Sequence, residues 1–418
     1  MKGILIILDG AADLANERLD NKTPLEAAKT PNLDFLASRS ELGYMYSVRP
    51  GFIPESDEAI VSIFGNDLIS STRGQLEARG LGFKPMRGDL VLRANFATID
   101  SLESGNIMDR RAGRTLSTSE AEILEKAINK QVKLPCNFIF KISVGHRASL
   151  IFKGGFSDNI SGNDTSIYSQ GRTVSSDKIS RCKPLDDEEN SQYSANVVNE
   201  FLEKAYNVLK NHPINLERIR KGLLPANFIL VRGPGIEPPK LKFYRKWVSA
   251  AYMPLEIGFS KVSGMKTYNF NYPELKNIDV YANLYEGLRK ACKFSNWILK
   301  KNLKKADFLY IHIKETDIPG HDNKPFEKIQ MIEFIDKMLF SYINKIVFPN
   351  HIKVLITCDH STPCKNKAHS ADPVPVLFYK GDYSEIKEKR FNEKDSKKGE
   401  LGRIETGKEL FQKTNFLK

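Results

Sequence analysis

The chain has 418 residues, a formal net charge of +12, and 41% hydrophobic against 27% charged residues. That length supports a large core and two or more domains, and that balance excludes disordered and fibrous classes. The lysines are spread out, apart from runs such as Lys300 to Lys305 and Lys387 to Lys398, and no recognition motif accompanies them. Nucleic acid is therefore not an expected partner, whereas a small anionic substrate is.

The first apolar run, Gly3 to Leu8, is of strand length and ends at Asp9, too short for a signal peptide or a spanning helix. The five cysteines lack the paired spacing of a zinc site or a disulfide framework. A cytoplasmic protein without a membrane partner is expected, its oligomeric state left open.

In chain order, Gly3 to Leu8 predicts a buried strand that Gly10 turns sharply after Asp9. Thr23-Pro24 and Thr30-Pro31 each place a threonine cap before a proline, predicting two short helices. Leu42 to Val48 predicts a strand, and Ser56 opens an apolar helix running through Phe64. Serine is a good helix cap. Beside cations, free backbone N–H groups at that helix start also make Ser56 a candidate nucleophile.

Asp89 to Thr98 predicts a strand, after which the texture changes. Asp109 to Arg114 is an arginine cluster, Thr118 to Ala127 a helix, and Phe138 to Val144 and Ala148 to Phe152 are strands around Gly145-His146-Arg147. We expect residues 101–187 to form a smaller α+β domain inserted into a core made of 1–100 and 188–418. Its arginines match phosphate and carboxylate, so they are candidates for clamping an anion. The substrate-binding candidates are Arg110, Arg111, Arg114, His146 and Arg147, with Arg232 at a later strand end and Lys261 in a glycine-bounded stretch.

Ser191 to Asn211 predicts an amphipathic helix leading back to the core, and Asn227 to Val231 a strand. Helices follow over Ala282 to Leu299 and Phe326 to Tyr342, with strands at Phe308 to Ile313, Val354 to Ile356 and Val374 to Tyr379. The tail beyond Gly381 is charged and of uncertain order. Alternating strands and helices predict a three-layer α/β core on a mainly parallel sheet. Asp9, Asp317 with His321, Asp359 with His360, and His369 fall just past strand-like runs, where the ends of parallel strands meet at one crevice. Carboxylate mixed with imidazole suits manganese, zinc, cobalt or iron, and magnesium less well.

The residues that carry a family resemblance are Leu8-Asp9-Gly10, Lys22 to Ala28, Lys29 to Asp34, Asn95 to Thr98, Asp109 to Arg114, His312-Ile313-Lys314 with Thr316-Asp317, Gly320-His321-Asp322, Asp359 to Cys364 and His369 to Pro375. Over nearly the whole chain, to about Pro375, the sequence resembles the archaeal-type, cofactor-independent phosphoglycerate mutases of the alkaline phosphatase superfamily. The resemblance implies an alkaline-phosphatase-like core. It also implies two divalent ions, manganese first and magnesium, zinc or cobalt as alternatives: Asp9, Ser56, Asp359 and His360 would hold one, and Asp317, His321 and His369 the other. Ser56 would take the phosphoryl group of 3-phosphoglycerate and return it to the other hydroxyl. The alternatives are a phosphatase or small-metabolite phosphotransferase of the same superfamily, or a non-catalytic paralogue that binds metal and a phosphometabolite. Where the family's pattern is Gly-Ser-Asp-Thr-Ala-His, this chain has Glu55-Ser56-Asp57-Glu58-Ala59-Ile60, so the added carboxylates must point away from an anionic substrate or meet an arginine.

Overall fold

The computed structural model describes residues 1–68, 73–164, 166–169, 172–275, 278–382 and 386–418, with the backbone alone over 166–169 and 172–175. Thr165 and positions 383–385 of the tail lie outside the described residues. In chain order the strands are β1 (Gly3–Leu8), β2 (Glu41–Met45), β3 (Leu90–Ile99), β4 (Ile107–Asp109), β5 (Phe138–Ile142), β6 (Arg147–Phe152), β7 (Ser166–Ser169), β8 (Arg172–Ser175), β9 (Phe228–Gly235), β10 (Trp247–Ala250), β11 (Lys266–Tyr268), β12 (Phe308–Ile313), β13 (Lys353–Thr357), β14 (Val374–Tyr379) and β15 (Gly402–Ile404).

The larger sheet has the order β11-β10-β12-β1-β13-β14-β2-β15. It is mainly parallel, with β14 antiparallel to both of its neighbours. β1, Gly-Ile-Leu-Ile-Ile-Leu, is buried at every position, as are β12 and β14. An apolar run without alternation is what a strand covered on both faces requires, so helices flank the sheet on two sides. Each fully buried Ile or Leu contributes about 1.5–3 kcal/mol against the chain entropy. β1 sits centrally, with Leu8 opposite Ile313 of β12 and Ile7 opposite Thr357 of β13. That register brings three strands to an end at one level, and Asp9, Lys314 and Asp359 leave them on the same edge.

The smaller sheet is antiparallel, in the order β4-β3-β6-β5, with β9 also paired to β3. Its core joins Leu90, Leu92, Phe96, Phe140 and Leu150 to Val198 and Phe201 of the helix Glu189–Leu209. A capping box between Ser117 and Glu120 starts its second helix, Thr118–Gln131. β3, β9 and helix Glu189–Leu209 lie outside 101–187, yet all three pack in this second unit. β3 takes partners on both sides, Asn95 facing Arg147 of β6 and Leu230 of β9, which draws the flanking segments in.

Two further stretches differ from expectation. The charged tail is ordered where described: β15 forms an edge of the larger sheet, and the ring of Phe416, fully buried, lies 5.4 Å from that of Phe308. The glycine-bounded stretch around Lys261 is helical, Pro254–Val262. Gly258 lets this helix press on the helix Arg73–Gly80, since a Cβ there would lie 1.8 Å from the Leu76 carbonyl oxygen. Among the described residues, no helix is long and apolar enough to cross a membrane.

Candidate metal centre and active site

The site begins at the turn after β1. Gly10 has φ +56°, and a Cβ there would meet Thr362 Oγ1 at 2.5 Å and Asp317 Oδ1 at 2.6 Å, so only glycine lets the three ligand-bearing loops close together. Its backbone N–H donates to Asp359 Oδ1 at 3.1 Å, and the Thr316 hydroxyl donates to the Asp9 carbonyl at 2.5 Å. Thr362 then donates to Asp317 Oδ1 at 2.7 Å and stands 3.0 Å from His360 Nδ1.

Four imidazoles point the same way. His369 Nδ1 lies 2.9 Å from the Pro54 carbonyl oxygen and His321 Nδ1 lies 3.1 Å from that of Lys367. A carbonyl only accepts, so Nδ1 carries the hydrogen in both rings and Nε2 is left as a free lone pair. His360 Nδ1 meets Thr362, and His312 Nδ1 meets the Tyr310 hydroxyl at 2.9 Å. Each Nε2 turns to a carboxylate: His360 to Asp9 at 3.2 Å, His312 to Asp359 at 3.5 Å, His321 to Asp317 at 3.2 Å and His369 to Asp317 at 3.6 Å. Imidazoles oriented through Nδ1, with Nε2 free, are a donor set built for a metal. Asp9 Oδ1, Asp359 Oδ2 and His312 Nε2 are buried without a hydrogen-bond partner, as coordinating atoms are.

Among the described residues, two triads have ligand atoms within 4.8 Å of one another: Asp9, His312 and Asp359, and Asp317, His360 and His369. The grouping overlaps that implied by the resemblance: His312 joins Asp9 and Asp359, and His360 stands between the two sets, its Nε2 3.2 Å from Asp9 Oδ1 and its ring stacked on His369 with centroids 3.6 Å apart. His312 is not among the candidates read from the sequence, being inside the apolar run of β12. Burial works to raise the Asp359 and Asp317 carboxyls. His360, His312 and Lys314 override it for Asp359, and His321 and His369 for Asp317, holding both well below the usual range. Burial alone would lower His360, but Asp359 and Asp9 raise it to about 9. The cluster is short of positive charge.

Lys314 supplies part of it. Its ammonium contacts the Asp9 carboxylate, Glu256 Oε1 at 3.0 Å and Ser56 Oγ at 3.4 Å. Burial would lower its pKa, and Asp9 and Glu256 raise it instead. Ser56 is the first residue of the helix Ser56–Ile63, buried, with Oγ 3.3 Å from His360 Nε2. Of its acidic neighbours, Glu58 turns back to accept the Glu55 backbone N–H at 2.9 Å. Glu55 and Asp57 accept from Arg73 Nη1 at 2.7 Å and 3.3 Å, and Arg73 Nε donates to Glu77 at 3.1 Å. Burial would raise Glu55, but Arg232, Arg73 and His369 hold it well below the usual carboxylate range. So one added carboxylate is turned into a cap and the other meets arginines.

The candidate clamp residues divide. Arg111 is near enough to Asp317 to be attracted by it, although burial and the adjacent Arg114 and Arg147 bring it down to about 10. Burial together with Arg147, Arg111 and Arg114 holds His146 well below its usual value, so it is neutral at pH 7. Arg232 Nη1 is 3.9 Å from Glu55 Oε1. Arg114 donates to both oxygens of Asp322, next to His321, at 2.7 Å each. Arg110 is held within the smaller unit by Asp164 and the Ser176 carbonyl. Lys261 is exposed on the last turn of its helix, and Glu256 of the same helix is what enters the site.

The chain is similar to known proteins along its length. Residues 37–215 match the family described as 2,3-bisphosphoglycerate-independent phosphoglycerate mutase, and residues 262–410 match the metalloenzyme superfamily. A 2,3-bisphosphoglycerate-independent phosphoglycerate mutase of Pyrococcus abyssi is 40% identical over 410 residues, covering 96% of this chain and 94% of its own. One of Methanosphaera stadtmanae is 36% identical over 412 residues, covering 97% and 95%. Among solved structures, the cofactor-independent phosphoglycerate mutase of Thermoplasma acidophilum is 29% identical with a TM-score of 0.57, over 100% of both chains. A Pyrococcus horikoshii protein is 29% identical with a TM-score of 0.74, over 100% of this chain and 98% of that one. With identity sustained along nearly the full length of both sequences, the chain belongs to the archaeal-type 2,3-bisphosphoglycerate-independent phosphoglycerate mutases of the metalloenzyme superfamily.

Proposed function

We propose that the protein interconverts 3-phosphoglycerate and 2-phosphoglycerate through a phosphoserine on Ser56. The observation that carries this reading is the meeting of Ser56 Oγ, at a helix N-terminus, with Lys314 and a set of imidazoles whose Nε2 atoms face buried carboxylates. Asp9, Asp359, His360, His312 and Ser56 would hold one divalent ion and Asp317, His321 and His369 the other, manganese first and magnesium, zinc or cobalt as alternatives. Two such ions, when bound, supply the positive charge that lowers the pKa of a serine hydroxyl and offsets charge on a transferring phosphoryl group.

The rest falls to the chain itself. Ser56 Oγ loses its proton and forms a bond to phosphorus as the bond from phosphorus to the oxygen on carbon 3 breaks, and that oxygen takes up a proton. Glycerate reorients, its carbon 2 hydroxyl loses a proton as its oxygen bonds to phosphorus, the bond from phosphorus to Ser56 Oγ breaks, and Oγ takes up a proton to become a hydroxyl again. Lys314 and the first turn of the Ser56 helix, with its free N–H groups, face the phosphoryl oxygens in both transfers. The smaller unit, from β3 to β9, acts as an inserted clamp. Arg111, His146, Arg147 and Arg232 hold the substrate, with Arg114 anchoring the clamp to Asp322 beside the metal ligands. Closure keeps water from the phosphoserine and glycerate from leaving.

The test is an assay that follows both products. Interconversion with little free phosphate is the expected result. Release of phosphate without isomerisation assigns a phosphatase, and absence of both an idle paralogue.

A further inference from the structure

One fully buried ion pair stands among the ligand-bearing loops without being a ligand. Lys328, on the helix Pro325–Ile335, and Asp13, in the loop after β1, are 0% and 3% exposed, with Lys328 Nζ 2.8 Å from Asp13 Oδ2. Burial would lower the lysine's pKa, but Asp13 raises it instead, so the ammonium keeps its charge. A buried pair is costly to desolvate, and apolar residues of similar volume often serve stability as well. Stability alone therefore does not account for it.

All three ammonium hydrogens are engaged. Besides Asp13, Nζ donates to the Thr362 carbonyl at 3.0 Å and to the Ala12 carbonyl at 3.3 Å. Asp13 in turn accepts the Cys364 N–H, 3.1 Å from each of its oxygens. The pair thus ties the loop that carries Asp9 to the loop that carries Asp359 and His360, and does so from the helix that follows Asp317 and His321. Thr362 is the meeting point. Its N–H donates to the Ala12 carbonyl at 3.0 Å, and a Cβ on Gly320 would lie 2.4 Å from the carbonyl oxygen that Lys328 binds. Its hydroxyl donates to Asp317 Oδ1 at 2.7 Å and stands 3.0 Å from His360 Nδ1. Since that hydroxyl gives its hydrogen to Asp317, it accepts from His360, so Nδ1 is the donor and Nε2 is the atom left for a ligand role.

The pairing also resolves a conflict of charge. Lys328 is near enough to Asp317 to be stabilised by it, and a lone ammonium there would repel a cation bound by that carboxylate. Asp13 cancels the charge, so Lys328 can hold the main chain through strong hydrogen bonds with little net repulsion.

We infer that Lys328, charge-balanced by Asp13, is a positioning residue for the ion at Asp317: it fixes Thr362, and Thr362 orients Asp317 Oδ1 and His360 Nε2. This rests on the two-ion reading above and holds for whichever phosphoryl transfer the protein carries out. With its three hydrogens engaged, the ammonium has none left for a substrate.

Calorimetric titration of metal-stripped, full-length protein with manganese chloride tests the role, beside thermal melts of the metal-free protein. The double variant Asp13→Asn with Lys328→Met keeps the net charge of the pair at zero, so the attraction of the ions is as in wild type and only the tether is lost. Affinity for one of two ions is expected to fall by roughly tenfold or more, with the other within about twofold and the metal-free melting temperature within a few degrees. A pair that only stabilises the fold predicts a lower melting temperature with both affinities unchanged. Lys328→Met alone separates charge from position by sign. Removing a positive charge tightens manganese if Lys328 acts by its field, whereas loss of the tether weakens it. Thr362→Val leaves the pair intact and removes the hydroxyl, so it should weaken the same ion even where the double variant fails to fold. The role is overturned by wild-type affinities or an equal loss at both ions in a folded double variant, by tighter binding in Lys328→Met, or by wild-type affinities in Thr362→Val. Wild-type protein that takes up fewer than two ions instead overturns the two-ion reading, and the positioning role with it.

Discussion

Ser56 Oγ and His360 Nε2 lie 3.3 Å apart, both buried, with the serine on the first turn of its helix. The contact joins the proposed nucleophile to an imidazole that the Asp9 and Asp359 carboxylates also face. Ser56→Ala removes the hydroxyl and nothing that packs the helix, since the cap interactions belong to Glu55 and Glu58. Turnover should fall by roughly a thousandfold or more, with the melting temperature within a few degrees of wild type. Steady-state kinetics beside a thermal melt checks both, and normal kinetics in the variant would remove Ser56 from the reaction.

Metal removal should lower activity and stability together. Asp9, Asp317 and Asp359 stand close to one another with Lys314 and the imidazoles as their partners, so chelation leaves unbalanced negative charge. Ligands that bind only the folded state stabilise it by mass action, about 2.7 kcal/mol at a hundred times the dissociation constant. Manganese added back should restore both readouts at two ions per chain, measured by elemental analysis. A stoichiometry well below one contradicts the donor-set argument.

Arg73 pairs with the carboxylates that flank Ser56. Arg73→Ala leaves Asp57 unpaired and Glu55 with Arg232 alone beside the proposed phosphoryl position, and should raise KM at least ~tenfold through repulsion. Adding Glu55→Gln to that variant should recover part of the loss, because one of the two repelling charges is gone. A double-mutant cycle on KM measures the coupling, and strictly additive effects would show that Arg73 acts elsewhere.

Stability should depend on pH through Glu393. Its carboxylate accepts from the Thr23 hydroxyl at 2.6 Å and the Asp13 N–H at 2.9 Å. Burial nonetheless outweighs those bonds and raises it from 4.5 to about 7. A folded pKa above the unfolded one gives a contribution that is complete below pH 4.5 and lost as the pH rises through 7. Glu393→Gln keeps one acceptor and one neutral partner for those groups, so it should flatten this part of the profile and melt higher than wild type above pH 7. Melting curves across pH 4 to 9 read the difference, and parallel profiles would remove Glu393 as the source.

What the sequence made legible follows from locality. Asp9, Asp317, Asp359 and His360 stand where strands end, and apolar runs mark strand ends, so their convergence could be read from spacing alone. His312 could not, since a histidine within Phe-Leu-Tyr-Ile-His-Ile looks like core until β1 and β13 are placed on either side of it. Lys314, Glu256 and Arg73 were missed for a related reason: their partners are distant in sequence, and a lone charge near a strand or on a helix reads as surface. Lys261 was named for its glycines, but Gly258 serves helix packing, so the lysine points to solvent. β3 and β9 fell within the expected core boundaries because strand patterning identifies a strand and not its partners.

The central claim is that phosphate passes through Ser56. Manganese-loaded protein mixed with 3-phosphoglycerate, quenched in acid during turnover and digested, can be read by mass spectrometry. The account predicts a peptide spanning Ser56 that carries one phosphoryl group on that serine, absent without substrate and absent in Ser56→Ala. Isomerisation proceeding at full rate with no phosphorylated Ser56 at any quench time would contradict it.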